Sequence, residues 1–229
     1  MPNKLIATFI SLFPECTYSY IKTSILGRAV QKEKLKIREW QIRNFALDKH
    51  KTVDDSPYGG GPGQLIKVDI VVKAIRAAKI IGIKETIILL SPKGKIFKQI
   101  DAENLANYNH IIFVCGRYEG IDYRIEKYVD KIYSIGDYIL TGGELPAMVM
   151  LDVIVREIDG VLGNEKSNKN ESFKKTLLEY NQYTRPFEFE GHKVPAVLLS
   201  GHHKKISQIR KKEQKNLTKK LRPDLFRIK

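Results

Sequence analysis

SIGDYILTGGELPAMVMLDVIVREIDGVLG, from Ser134 to Gly163, is the stretch whose reading decides the fold. An apolar run over Ile132 to Leu140 reads as a strand and ends in Thr141-Gly142-Gly143. A nearly all-apolar stretch follows from Glu144 to about Ile158 and reads as a helix. Paired glycines let a backbone turn sharply and approach another backbone or a ligand closely, although most such pairs only mark a turn. A helix apolar on every side belongs in a core or in a subunit interface, not in water.

The neighbouring segments supply a sheet for that unit. Leu5 to Ile10 reads as a first strand, Tyr18 to Lys32 as a helix and Ile37 to Phe45 as a second strand. Val68 to Ile81 is helical, with Val71, Val72, Ile75 and Ala78 on one face. Ile87 to Leu90 reads as a buried strand ended by the turn Ser91-Pro92-Lys93-Gly94. Gln99 to Asn107 reads as a short helix and Ile111 to Cys115 as another buried strand. Continuous apolar strands between helices predict an α/β fold, a mainly parallel sheet covered by helices on both faces. In such sheets ligands gather beyond the carboxyl ends of strands, here at Ser91-Pro92, Cys115-Gly116 and Leu140-Thr141.

Charge divides the chain differently. The formal net charge is +14, and residues 161–229 hold 17 Lys and Arg against 7 Asp and Glu. From His203 onward there are 11 basic and 2 acidic side chains. A basic module on a nearly balanced body reads as a grip for a polyanion, the alternative being a solvated, lysine-rich surface. The polar stretch NEKSNKNES after Gly163 reads as a linker. Beyond it, His203 to Gln214 reads as a basic helix and Leu217 to Phe226 as a second short one, broken near Pro223.

Several function classes are excluded. No G-x-G-x-x-G opens a helix after a strand, and no G-x-x-x-x-G-K-[ST] occurs. Two cysteines, Cys16 and Cys115, form no disulfide framework and suit a reducing compartment. Cys115 ends the apolar run IIFVC and reads as a small core residue. No signal peptide or uncharged segment long enough for a membrane span is visible, so the cytoplasm is expected and no membrane partner. His202-His203, without Cys or convergent carboxylates, makes a poor metal site, so no metal site is expected.

Six blocks recur in order: SLFPE (Ser11 to Glu15), TVDD-PYGGGPG (Thr52 to Gly63), LSPKG (Leu90 to Gly94), CGRYEGID (Cys115 to Asp122), YTRP (Tyr183 to Pro186) and LLSG-H (Leu198 to His203). With GDYILTGGELP they make the chain resemble the bacterial tRNA (guanine-N1)-methyltransferases of the TrmD type, in the SPOUT group of trefoil-knotted methyltransferases. The resemblance runs from about Ile6 to about Leu225. It implies a deep trefoil knot, a homodimer with shared active sites, S-adenosyl-L-methionine as cofactor and tRNA as partner, and it allows a Mg²⁺ requirement. It implies methylation of the guanosine 3′ of the anticodon. A non-catalytic RNA-binding factor and a ribosomal RNA methyltransferase on the same fold stand as alternatives.

The resemblance also implies roles. Backbone groups of Ile135, Gly136, Asp137, Tyr138, Ile139 and Leu140, with Pro92, Gly116, Gly142 and Gly143, enclose the cofactor. Glu119 either meets its positive end or pairs with Arg117 or Arg124. Neutral guanine carries a proton on N1, so methylation there needs a base, and the charge shifted to O6 needs a donor. Arg156 and Glu171 match the family's positions for these tasks, although the family pattern has an aspartate where Glu171 stands. Asp54, Asp55, Tyr58 and Gly59 are expected at a base edge. Ser56 stands where an arginine is expected. Lys204, Lys205, Arg210, Lys211, Lys212, Lys219, Lys220 and Arg222 are expected at phosphates. His202 and His203 are expected to cap a helix or touch RNA. The domains expected are 1–162, cofactor-binding and catalytic; 163–175, a flexible linker; and 176–229, basic, helical and tRNA-binding.

Overall fold

The computed structural model describes residues 4–163, 171–174 and 176–226. The chain divides into two compact units, residues 1–163 and 164–229. Most of the expected linker, 164–170 and 175, lies outside the described residues.

Among the described residues of the first unit, seven strands form: β1 Leu5–Ser11, β2 Leu35–Gln41, β3 Asp54–Asp55, β4 Leu65–Ile66, β5 Glu85–Ile96, β6 His110–Cys115 and β7 Lys131–Ser134. Five make a wholly parallel sheet in the order β2-β1-β6-β5-β7, while β3 and β4 pair antiparallel in a ribbon of their own. The helices are α1 Tyr18–Ile21, α2 Ser24–Gln31, α3 Val68–Ala78, α4 Gln99–Leu105 and α5 Glu144–Val155.

Side chains alternate between the faces of a strand, and both faces here are apolar. Leu5, Ala7, Phe9, Ile111 and Phe113 enter one core with α2, α4 and α5. Ile10, Ile112 and Val114 enter a second core, with α3, on the other face. Phe9 and Phe113 stack with ring centroids 5.4 Å apart. The amphipathic face of α3 and the apolar strands therefore form one arrangement, a sheet desolvated on both sides.

Where elements end is corrected in several places. The expected helix 18–32 is two helices, α1 and α2, separated by Lys22 and Thr23, and Ser24, the first residue of α2, takes a positive φ of 49°. The break re-aims the chain so that Gly27 packs on the Lys22 carbonyl, where a Cβ would collide. The expected strand 37–45 stops at Gln41, whose side chain accepts from Arg43 N, and Ile42–Phe45 is a 3₁₀ turn. The strand expected to end before Ser91 continues to Ile96 through a register break between Leu90 and Lys95. Gly94 makes that possible, because a Cβ there would lie 2.6 Å from the backbone of Ile132 and Tyr133. The strand expected over 132–140 covers Lys131–Ser134, and α5 ends at Val155.

In the second unit, β8 Glu188–Phe189 and β9 His192–Lys193 form a hairpin, and α6 spans His203–Leu221. The two helices expected there are one, because no helix breaker interrupts the run until Pro223, which opens a 3₁₀ turn to Phe226. His202 occupies the N-cap position without a side-chain capping bond.

One buried polar group has a pH consequence. His110 is fully buried, with Nε2 2.8 Å from Thr8 Oγ1 and Nδ1 3.3 Å from Glu85 Oε2. Burial pushes its pKa below the ordinary 6.5, against the opposing pull of Glu85, and the Arg38 charge adds to the depression. The unfolded chain therefore binds this proton first as pH falls. The stability that depends on His110 is full above about pH 6.5 and is lost progressively below it, until the folded imidazole also protonates. Urea midpoints followed from neutral to acid pH should fall less steeply for His110→Gln than for the native chain, and identical slopes would remove His110 as a source of acid sensitivity.

Candidate active site

Three loops leave the carboxyl ends of neighbouring strands and surround a cavity of about 460 Å³. That volume lies within the range of small-ligand pockets, about 300–1,000 Å³. The first loop is the bulge of β5 at Ser91–Gly94, the second follows β6 from Gly116, and the third runs from β7 to α5. Of the residues expected to hold a cofactor, Pro92, Gly116, Glu119, Ile135, Gly136, Tyr138, Ile139, Leu140, Gly142 and Gly143 line this cavity, and Asp137 does not.

The third loop is held by close backbone approach. Ser134 Oγ donates to Gly136 O at 2.9 Å and faces Gly136 N at 3.2 Å, which turns the chain out of β7. At the far end Gly143 N donates to Gly116 O at 2.9 Å. A Cβ on Gly143 would lie 2.7 Å from Cys115 Cα and 2.9 Å from Gly116 N. Gly143 has an ordinary φ of −83°. Glycine is needed there for clearance, not for a left-handed turn.

Sequence reasoning missed the polar knot beneath these loops. Glu144, the first residue of α5, is 2 % exposed. It accepts a hydrogen bond from Ser11 Oγ at the end of β1, and its Oε2 lies 3.0 Å from Arg117 Nε. The Arg117 guanidinium also packs over the Phe13 ring at 4.8 Å. One buried carboxylate thus ties the ends of β1 and β6 to the start of α5. The available signal was a lone acidic residue opening a run that must be buried, since buried charges need partners. Cys115 lies under the same cluster, and burial pushes its thiol well above the ordinary value, the Glu144 charge adding to the effect.

The chain just after the glycine-rich segment 54–63 joins the second loop. Glu119 N donates to Gln64 O, Ile66 N to Gly120 O, and Asp122 N to Ile66 O, at 3.1, 2.9 and 3.0 Å. Gly63 packs on the Glu119 side chain, and Gly59, Gly60, Gly61 and Gly63 all have positive φ. Tyr58 in the glycine-rich segment is fully exposed, and Asp55 Oδ1 accepts from Ser56 N at 2.8 Å. The ion-pair alternatives for Glu119 are corrected. Arg117 pairs with Glu144, and Arg124 pairs with Asp122 at 2.5 Å.

Arg156 is the C-cap of α5 in the first unit, and Glu171 belongs to the second. Around Glu171, Ser172 Oγ accepts from Glu179 N at 2.9 Å and Phe173 N donates to Leu177 O at 2.9 Å, so residues 171–174 are tied locally. Along α6, Lys204, Lys205, Arg210, Lys211, Lys212, Lys219 and Lys220 are all exposed. Arg210 also covers the Tyr180 ring at 4.5 Å. Arg222 is engaged by Asp224 at 2.7 Å. Among the described residues no three His, Cys, Asp or Glu side chains converge as a metal site, and no helix is long and apolar enough to cross a membrane.

Fold and cavity together define a parallel-sheet α/β protein whose strand-end cavity is walled by backbone loops, with no glycine fingerprint for nucleotides. A family model described as tRNA (Guanine-1)-methyltransferase TrmD matches residues 5–228. A tRNA (guanine-N(1)-)-methyltransferase of Ureaplasma parvum is 48 % identical over 220 residues, covering 96 % of this chain and 95 % of the relative. Proteins of the same name from Clostridium botulinum and Dictyoglomus turgidum are 50 % and 48 % identical, covering 95 % of this chain and 90 % and 88 % of theirs. The chain belongs to the tRNA (guanine-1)-methyltransferase TrmD family.

Proposed function

We propose that this protein methylates N1 of guanine in tRNA, at the guanosine 3′ of the anticodon, with S-adenosylmethionine as donor. The observation that carries the reading is the backbone-walled cavity at the strand ends, built by the motifs that place the chain in its family. The relatives' names support an enzyme acting on tRNA and lend nothing to the non-catalytic or ribosomal RNA alternatives. Purified protein should methylate a tRNA transcript with guanine at the target position and leave the adenine version unmodified. Equal labelling of both would overturn the reading. The free cysteines Cys16 and Cys115 and the tRNA in the relatives' names support the cytoplasm as its place of action.

The cavity fits the donor by size and chemistry. Leu89, Leu90, Ile139 and Leu140 offer apolar walls to an adenosyl group, and loop backbone at Gly116 and Ile135–Leu140 offers donors and acceptors. When bound, S-adenosylmethionine supplies an electrophilic methyl group on a sulfonium. Glu119 presents a carboxylate to the positive end of that ligand. Glu171 removes the N1 proton of guanine, and Arg156 stabilises the charge that moves to O6. Asp54, Asp55, Tyr58 and Gly59 contact the base, and the exposed cations of α6 neutralise phosphates.

The same reading includes a homodimer with shared sites. Leu145 and Val149 on α5 are 52 % and 41 % exposed. They lie four residues apart on one helix face, and Arg156 continues that face two turns on. A second copy laid over this stripe would bury it and bring Arg156 into a site completed by both chains. A Leu145→Asp/Val149→Asp variant should sediment as a monomer and lose methyl transfer. A fully active monomer would contradict the shared site.

A further inference from the structure

The hairpin of the second unit turns at Glu190-Gly191, both with positive φ (47° and 78°), the signature of a two-residue type I′ turn. Its register pairs Glu188 with Lys193 and Phe189 with His192, and Val194 N donates to Phe187 O at 3.0 Å. Alternation then puts Phe187, Phe189, His192 and Val194 on one face and Glu188 with Lys193 on the other. The charged face closes on itself, with Lys193 Nζ 3.4 Å from Glu188 Oε2. The aromatic face lies open, with Phe187 48 % and Phe189 63 % exposed. Strands of two residues each have no core of their own to bury rings in.

We propose that this face is a stacking platform for unpaired bases of the substrate RNA, with the Phe187 and Phe189 rings as the stacking surfaces and His192 beside them. The proposal rests on RNA being the substrate. Two observations select bases over protein. The face consists of four side chains, far less than the roughly 800 Å² per partner of a stable protein interface, but enough for one or two base planes. It also belongs to a unit with 17 basic and 7 acidic residues over 161–229, whose helix α6 exposes a row of lysines. Phosphate neutralisation beside exposed aromatic rings is the combination by which proteins hold single-stranded nucleic acid. The ribbon's own strand carboxylate, Glu188, is turned to the opposite face and neutralised by Lys193.

The test compares the full native chain with Phe187→Ala/Phe189→Ala and Phe189→Trp, using a tRNA transcript and a fully paired RNA duplex of similar length. The double variant should lose roughly five- to 150-fold in transcript affinity for each base no longer stacked. Its salt slope should stay at the native value, because the rings release no counterions. Duplex affinity should not change, and Phe189→Trp should bind the transcript at least as well as native protein. Transcript affinity within about twofold of native in the double variant, or an equal loss on the duplex, would overturn the platform. A fall to a smaller assembly in sedimentation with RNA affinity intact would assign the face to a second copy instead. If native protein methylates the transcript while the double variant is indistinguishable from it, the platform alone fails. If native protein neither binds nor methylates the transcript, the RNA reading fails with it.

Discussion

Single-turnover methyl transfer by Glu171→Gln should fall by about 10²–10⁴, the usual cost of deleting a positioned general base. Guanine N1 has no free lone pair until its proton leaves, and glutamine cannot accept that proton. Binding of cofactor and tRNA should stay near native values, because the amide keeps the size of the carboxylate. Glu171→Asp restores the residue of the family pattern and should be active. The segment around Glu171 is held by the Glu179–Ser172 and Phe173–Leu177 hydrogen bonds, so the shorter side chain is presented from an ordered backbone. Arg156→Ala should lower the same step by about 10²–10³, the range for removing one donor to a developing oxyanion. Measured at saturating tRNA and cofactor, a Glu171→Gln rate within about threefold of native would remove Glu171 as the base, since a base accounts for well over tenfold.

Gly143→Ala should weaken S-adenosylmethionine binding roughly five- to 150-fold, the equivalent of about 1–3 kcal/mol of overpacking. The added methyl meets backbone, at Cys115 Cα and Gly116 N, and backbone cannot rotate away. It must push the third loop off the second and break the Gly143–Gly116 hydrogen bond that closes the cavity. Gly142→Ala should have a smaller effect. Its Cβ meets the side chains of Arg117 and Glu144, which can move at the expense of their ion pair. Gly142→Val, with a branched Cβ, should approach the Gly143 result. Titration calorimetry measures the loss, and a thermal melt on the same samples separates it from unfolding. Native affinity in Gly143→Ala would show that the contact between these two loops does not shape the cofactor site.

Much of the first unit was legible because burial on both faces of a parallel sheet writes itself into continuous apolar runs. Leu5 to Ile10 and Ile111 to Cys115 fall within a residue of the strands they form, and the α3 stripe of Val71, Val72, Ile75 and Ala78 is the face that enters the core. The ends were less legible. A strand stops where its neighbour's ladder stops, and β7 is short because its partner β5 ends at Ile96, opposite Ser134. The apolar residues Ile135, Ile139 and Leu140 look like more strand but line a cavity. Pairing of Gln64 and Ile66, just after the Thr52–Gly63 run, with Glu119 to Asp122 was invisible too, since nothing local in either glycine run names the other.

The sequence by itself determined the α/β class, the two-faced core, the basic second unit and, through its motif blocks, the family. Each of these depends on residue type at fixed spacing along one chain, which secondary-structure periods convert directly into faces. The tertiary structure alone decided that Ser11, Glu144 and Arg117 meet, that Gly143 is needed for clearance and not for φ, that Arg117 is drawn away from Glu119, and that Phe187 and Phe189 share an open face. Those facts depend on which segments distant in sequence are brought to the same strand ends and turns. A buried carboxylate chooses its partner by proximity in the folded chain, and proximity across more than a hundred residues is set by packing, not by any local pattern.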